Sequence, residues 1–182
     1  MLPAVVVVSL ALAASAQQAE PIPAQLPEKQ LKAEYIARFP AFVEWPEEAL
    51  GRQHARFVLC VAGSSPVIDS LVTIARTRRI KDRPVRFRRA RVEEGLTDCH
   101  LLFIAASEAP RLSELLAATT GRPLLTVSDT SDFAERGVLI NLYRENDSLR
   151  FEINLAAIRK SGLSVSSRLL QLGRPVRSKD ER

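Results

Sequence analysis

Apolar positions along the chain follow two rhythms that alternate from about residue 28 to residue 172. Leu31, Tyr35, Phe39 and Phe42 stand four, four and three apart, which puts them on one face of a helix beginning at Glu28. Pro40 interrupts that face, since it has no N–H to donate to the Ile36 carbonyl. The helix is expected to break or kink there, before a short turn carrying Phe42 and Trp45. The run from Arg56 to Ala62 reads as a buried strand, followed by the turn Gly63-Ser64-Ser65-Pro66 and a helix from about Val67 to Arg76. Pro84 to Arg89 alternates, with Val85 and Phe87 expected inward and Arg86 and Arg88 outward. Leu101 to Ala105 is a second buried strand, and Pro110 suits the first turn of a helix that carries Leu112, Leu115 and Leu116.

Further along, Leu124 to Val127 is a strand, and Ser131 is expected to cap a short helix that Gly137 ends. Val138 to Tyr143 and Leu149 to Ile153 form two strands joined at Glu145-Asn146-Asp147-Ser148, a hairpin signal. A helix from Leu155 to about Lys160 ends at Gly162, and Ser166 opens a last helical turn through Leu169, Leu170 and Leu172. Strands alternating with helices predict an α/β three-layer sandwich with a mostly parallel central sheet. The C-terminal hairpin adds an antiparallel strand, expected at an edge. Nothing divides residues 28–174, which read as a single domain followed by a basic tail at 175–182.

The first residues change the picture. Ala4 to Ala14 is apolar but short of the roughly 20 residues a membrane span needs. It ends in Ala14-Ser15-Ala16, small residues suited to signal-peptidase cleavage after Ala16. Residues 1–16 are therefore read as a cleaved signal peptide and 17–27 as a leader, which predicts a periplasmic location. In an oxidising compartment the two cysteines, Cys60 and Cys99, invite a disulfide if their strands are neighbours. Two buried free thiols are the alternative.

The net charge is +5, and much of it is concentrated. Arg76, Arg78, Arg79, Lys81, Arg83, Arg86, Arg88, Arg89 and Arg91 crowd one segment that holds a single acid, Asp82. Such a run attracts polyanions, anionic headgroups or an acidic partner, or simply protects a sheet edge. Export argues against nucleic acid as the partner.

The search for chemistry finds no catalytic constellation. His54 and His100 have no metal-ligand spacing, and the nucleophile-elbow, P-loop and dinucleotide motifs are missing. No enzyme activity, metal or cofactor is expected. The Gly63–Pro66 turn, with Ser64 and Ser65, lies where backbone amides can hold an anion, and Arg86 or Arg88 could assist. Glu152 alternates with Phe151 and Ile153, so with Asn154 it could line a pocket on the opposite sheet face.

Several segments together resemble the YfiR-like family. They are Leu31-Lys32-Ala33 with Tyr35-Ile36, Phe39 and Phe42-Val43-Glu44-Trp45-Pro46; Phe57 to Gly63; Asp98 to Ile104; Gly121 to Asp129; Ile140-Asn141-Leu142; Phe151 to Ala157; and Ser166 to Leu170. The resemblance implies a regulatory protein of the periplasm, not a catalyst. The best-known type restrains an inner-membrane diguanylate cyclase by binding its periplasmic sensor region; release raises cyclic di-GMP and favours biofilm. A Cys60–Cys99 disulfide looks like a family feature. Pro40 departs from the family pattern, and no second cysteine pair accompanies the late hairpin. The expected partner is thus the periplasmic domain of a diguanylate cyclase or sensor kinase, with a homodimer left open. The expected contact residues are Phe39, Phe42, Trp45, Phe151, Glu152 and Asn154, the aromatics having core packing as their alternative. A small-molecule sensor using Ser64, Ser65, Arg86 and Arg88 is the rival reading.

Overall fold

The computed structural model describes residues 26–51 and 55–179; the expected signal peptide, most of the expected leader, His54 and Arg182 lie outside them. The chain opens with α1 (Glu28–Arg38), a 3-10 turn (Phe39–Phe42) and β1 (Val43–Glu44). The helix ends just before Pro40, as the missing N–H requires. β2 (Phe57–Ala62), α2 (Ile68–Thr77), β3 (Arg79–Ile80) and β4 (Arg83–Arg89) follow, then β5 (Leu101–Ile104), α3 (Leu112–Thr119) and β6 (Leu125–Ser128). β7 (Ile140–Glu145), β8 (Ser148–Asn154), α4 (Leu155–Ser161), β9 (Ser164–Val165), α5 (Ser167–Leu172) and β10 (Arg174–Val176) complete it.

Eight strands form one sheet in the order β10-β8-β7-β6-β5-β2-β4-β3, and β1 pairs with β9 in a small separate ribbon. β4, β2, β5, β6 and β7 run parallel, while β8 returns antiparallel to β7. The hairpin turn places Asn146 and Asp147 at φ +46° and +59°, the left-handed pair that a two-residue loop needs. The mostly parallel α/β sheet and the hairpin are as expected. One core lies under α1 and α2 and takes Ile158 and Leu169 from the C-terminal helices. The other lies under α3 and takes Phe133 and Val138. Every residue of β2, β5 and β6 is buried, because both faces of these central strands are covered.

Three expectations are corrected. No helix forms between Ser131 and Gly137; that stretch is a series of turns in which the Val138 amide donates to the Phe133 carbonyl. Asp132 stands at φ +67°, outside the helical region, and its backbone interrupts any helix started at Ser131. Pro110 sits inside a 3-10 segment (Ala106–Arg111), so α3 begins two residues later at Leu112. The hairpin is also not the sheet edge: β10 pairs parallel with β8 and covers it. Arg174–Val176 reaches that place by a sharp turn at Gly173, where an added Cβ would stand 2.5 Å from the Ile153 Cδ1 atom.

Candidate functional site

The amphipathic face of α1 and the 3-10 turn does not close completely. Leu31, Tyr35 and Phe42 remain half-buried, and with Phe151, Leu169 and Leu172 they line an apolar groove of about 580 Å³. Phe39 forms its floor and meets Phe151 edge-on at 5.2 Å. One lip is ionic, where Arg78 clasps both carboxylate oxygens of Glu34 at 2.6 and 2.7 Å. Leu172, 63% exposed, and Leu26, 53% exposed, add open apolar surface to the groove. A single exposed leucine is ordinary on a protein surface, but here the exposed side chains adjoin an apolar concavity, which marks a candidate binding surface.

The sequence-predicted contact residues are thus divided. Phe39, Phe42 and Phe151 meet in the groove, although Phe39 and Phe151 are mostly core. Trp45 is elsewhere, buried edge-on against Phe57 at 5.7 Å with the Lys81 ammonium over its ring. Glu152 and Asn154 face the other side of the sheet and are buried. Register sets Ser128, Asn141, Glu152 and Arg174 side by side across four strands. Glu152 accepts from Asn141 Nδ2 at 3.2 Å and from Arg174 Nη2 at 2.8 Å, and the Arg174 guanidinium lies over Tyr143. Asn154 caps α4 through the Ala157 amide at 2.9 Å and donates to Ala134 O at 2.7 Å. These polar groups tie the sheet to its C-terminal strand and do not line a pocket.

A second concavity of about 690 Å³ opens at the carboxyl ends of β2 and β4, where strand order reverses around β2. Open α/β sheets bind ligands at such crevices. Gly63, at φ +83°, lets the chain pass tightly: an added Cβ would lie 2.9 Å from Glu108 Cγ. The Ser64 amide donates to Ser107 Oγ at 2.9 Å, and Ser65 Oγ accepts from the Val67 amide. Ser64 lines the crevice, but neither Arg86 nor Arg88 does. Its cations are Arg89, Arg91 and Arg111, faced by Glu93, Glu94 and Glu108. Arg89 was legible as the next basic position of β4, pointing to the opposite face from Arg88. Arg111 had no sequence signal, since only the fold brings it to Glu93.

Arg88, expected outward, turns back over the sheet: one Nη donates to Gly95 O at 2.9 Å and to Cys99 Sγ at 3.2 Å. Cys99 is bonded to Cys60, with Cα atoms 5.8 Å apart, inside the α3-side core. β2 and β5 are the adjacent parallel strands that bring the sulfurs together. Next to the bridge, His100 stacks on Phe57, accepts the Val58 amide at Nδ1 and approaches Ala49 O through Nε2 at 3.1 Å. Burial pushes the imidazole below its ordinary pKa, aided by Arg83, while Ala49 O and Asp98 oppose the shift. His100 is a neutral structural clamp between β5 and the segment before β2.

No helix among the described residues is long and apolar enough to cross a membrane. The stretch from α1 to the first residue of β10, residues 29–174, matches the YfiR/HmsC-like family. A match over this span takes in the disulfide, both faces of the sheet and the apolar groove, and the chain belongs to the YfiR/HmsC-like family.

Proposed function

We propose that the protein is an exported, non-enzymatic regulator that binds the periplasmic region of an inner-membrane signalling protein, a diguanylate cyclase in the first instance, and holds it inactive. Family membership supports a regulatory role at the envelope. The observation that carries the reading is the apolar groove with Leu172 open on its lip, a surface suited to an amphipathic partner segment. Restraint follows if the partner's inactive arrangement presents the better-fitting segment, because a ligand shifts an equilibrium only by its differential affinity. The disulfide joins β2 to the start of β5 in the α3-side core, on the sheet face opposite the groove, and so stabilises the scaffold without forming part of the contact surface.

The test is a pull-down from envelope extracts with oxidised wild type, Leu172→Glu and the Cys60→Ser/Cys99→Ser variant. Recovery of a membrane cyclase or kinase by wild type, with loss in Leu172→Glu at unchanged melting temperature, is the expected result. Equal recovery by wild type and Leu172→Glu removes the groove from the mechanism. Failure of all three forms to recover a membrane signalling protein ends the regulator reading.

A second reading draws on the crevice at the strand-order reversal. There Ser64, Arg89 and Arg111 offer polar recognition of a small molecule, which would make the domain a ligand sensor. A specific ligand would raise the melting temperature by mass action. A metabolite screen in which wild type and Arg111→Ala respond alike would reject this site.

A further inference from the structure

The concentrated positive charge of residues 76–91 has a definite place in the fold. β3 pairs with β4 only at Arg79↔Pro84 and Ile80↔Arg83, so the rest of β4 is itself the edge of the large sheet. Arg76 and Arg78 flank this edge from the end of α2, on one face. Arg86 and Arg88 alternate onto the other face, while Arg79 and Lys81 belong to the β3–β4 hairpin. Both faces of the edge are therefore rimmed with cations.

Little of this charge is neutralised. Arg79 donates to Asp82 O, Lys81 to Val43 O, Arg88 to Gly95 O and Arg89 to Gly63 O. These acceptors are backbone carbonyls, which orient the side chains without cancelling their charge. Arg78 is paired with Glu34, and Arg91 with Glu94. Arg76 and Arg86 are exposed and make no hydrogen bond or ion pair among the described residues. The nearby acids are Asp69 and Asp82, with Glu48 and Asp98 around the hollow that Arg86 enters, and none pairs with Arg76 or Arg86. One or two charges suffice to protect a short edge strand. A cluster this dense costs the fold self-repulsion and projects a coherent positive field.

We propose that this edge docks on anionic lipid headgroups, holding the protein against a bilayer. The proposal rests on the regulator reading only for its location, since a protein acting on an inner-membrane partner works beside such a surface. Exposed cations along this edge can come within a Debye length of lipid phosphates, where each adds to the attraction. The docking is electrostatic, because neither Arg76 nor Arg86 lines the apolar groove that holds the exposed Leu26 and Leu172.

The test is co-sedimentation of the purified chain lacking residues 1–16 with vesicles of phosphatidylcholine alone or mixed with phosphatidylglycerol. Three forms are compared: wild type, Arg76→Glu/Arg86→Glu and the charge-matched control Arg122→Glu/Arg159→Glu. Melting temperatures establish that each is folded. Wild type and the control should bind the anionic vesicles and not the neutral ones, with binding lost at high salt. The edge variant should bind more weakly by a factor of about ten or more, as expected from reversing two cations at an anionic surface. Absence of wild-type binding at low ionic strength overturns the proposal and leaves an acidic protein surface as the partner of this edge. Equal weakening in both double variants overturns it too, since net charge would then suffice. Neither result bears on the groove, which the pull-down tests separately.

Discussion

Reducing the Cys60–Cys99 bridge frees a loop across a sequence separation of 39 without placing a charge in the core. In the chain-entropy model such a closure is worth about 4 kcal/mol. Cys60→Ser/Cys99→Ser should therefore lose about 3 to 4 kcal/mol in urea unfolding, and reductant should have no further effect on it. His100 makes a second prediction at this scale. Its folded-state pKa lies below that of the unfolded chain, so the native state favours the neutral ring. The stability it contributes is complete above about pH 6.5 and is lost as pH falls from there through the lower native value. Protonation would put a hydrogen on Nδ1, against the Val58 N–H that now donates to it. Urea unfolding should show the decline on acidification, and His100→Gln should flatten it. A wild-type curve without a decline across that range would refute the account.

Among the elements, the last strand depends most on side-chain chemistry. β10 has three residues, and Pro175 within it has no N–H to give. Its attachment leans on the Arg174–Glu152 pair and on Asn154, whose amide reaches Ala134 O and Ser178 Oγ. Asn154→Ala removes a helix cap and strands buried partners, and should cost about 2 kcal/mol. Glu152→Gln should cost less globally but raise amide exchange in residues 174–178 relative to β7. Uniform exchange across both strands would show that β10 does not open by itself.

For the whole molecule, the groove and the basic edge share Arg78 alone among the cations of residues 76–91, and there it is paired with Glu34. Leu172→Glu should leave stability within about 0.5 kcal/mol, because that side chain is exposed. Phe151→Ala should cost about 3 kcal/mol, because its ring sits against Phe39 in the core. Partner capture should fall in Leu172→Glu without loss of fold. In Phe151→Ala loss of capture should come with loss of stability, because that ring both lines the groove and packs in the core. The pair separates surface recognition from simple unfolding.

Local rhythm and chemistry made much of this molecule legible in advance. The break at Pro40, the buried runs of β2 and β5, the Asn146-Asp147 turn and the capping at Ser166 follow from steric and hydrogen-bond rules that act within a few residues. The family resemblance, too, was carried by segments in order. Four strands, β1, β3, β9 and β10, were not foreseen, since two- or three-residue strands have no period and exist only because a partner edge is present. Periodicity could say that Glu152 opposes Phe151, but not that Asn141 and Arg174 would flank it and bury it. It likewise gave Phe39 and Trp45 the same aromatic character, while packing sent one to the floor of a groove and the other beneath Lys81. Faces and turns are encoded by neighbours in sequence; enclosure, grooves and the open edge arise when distant segments compete for the same apolar surface, and only the folded chain resolves that competition.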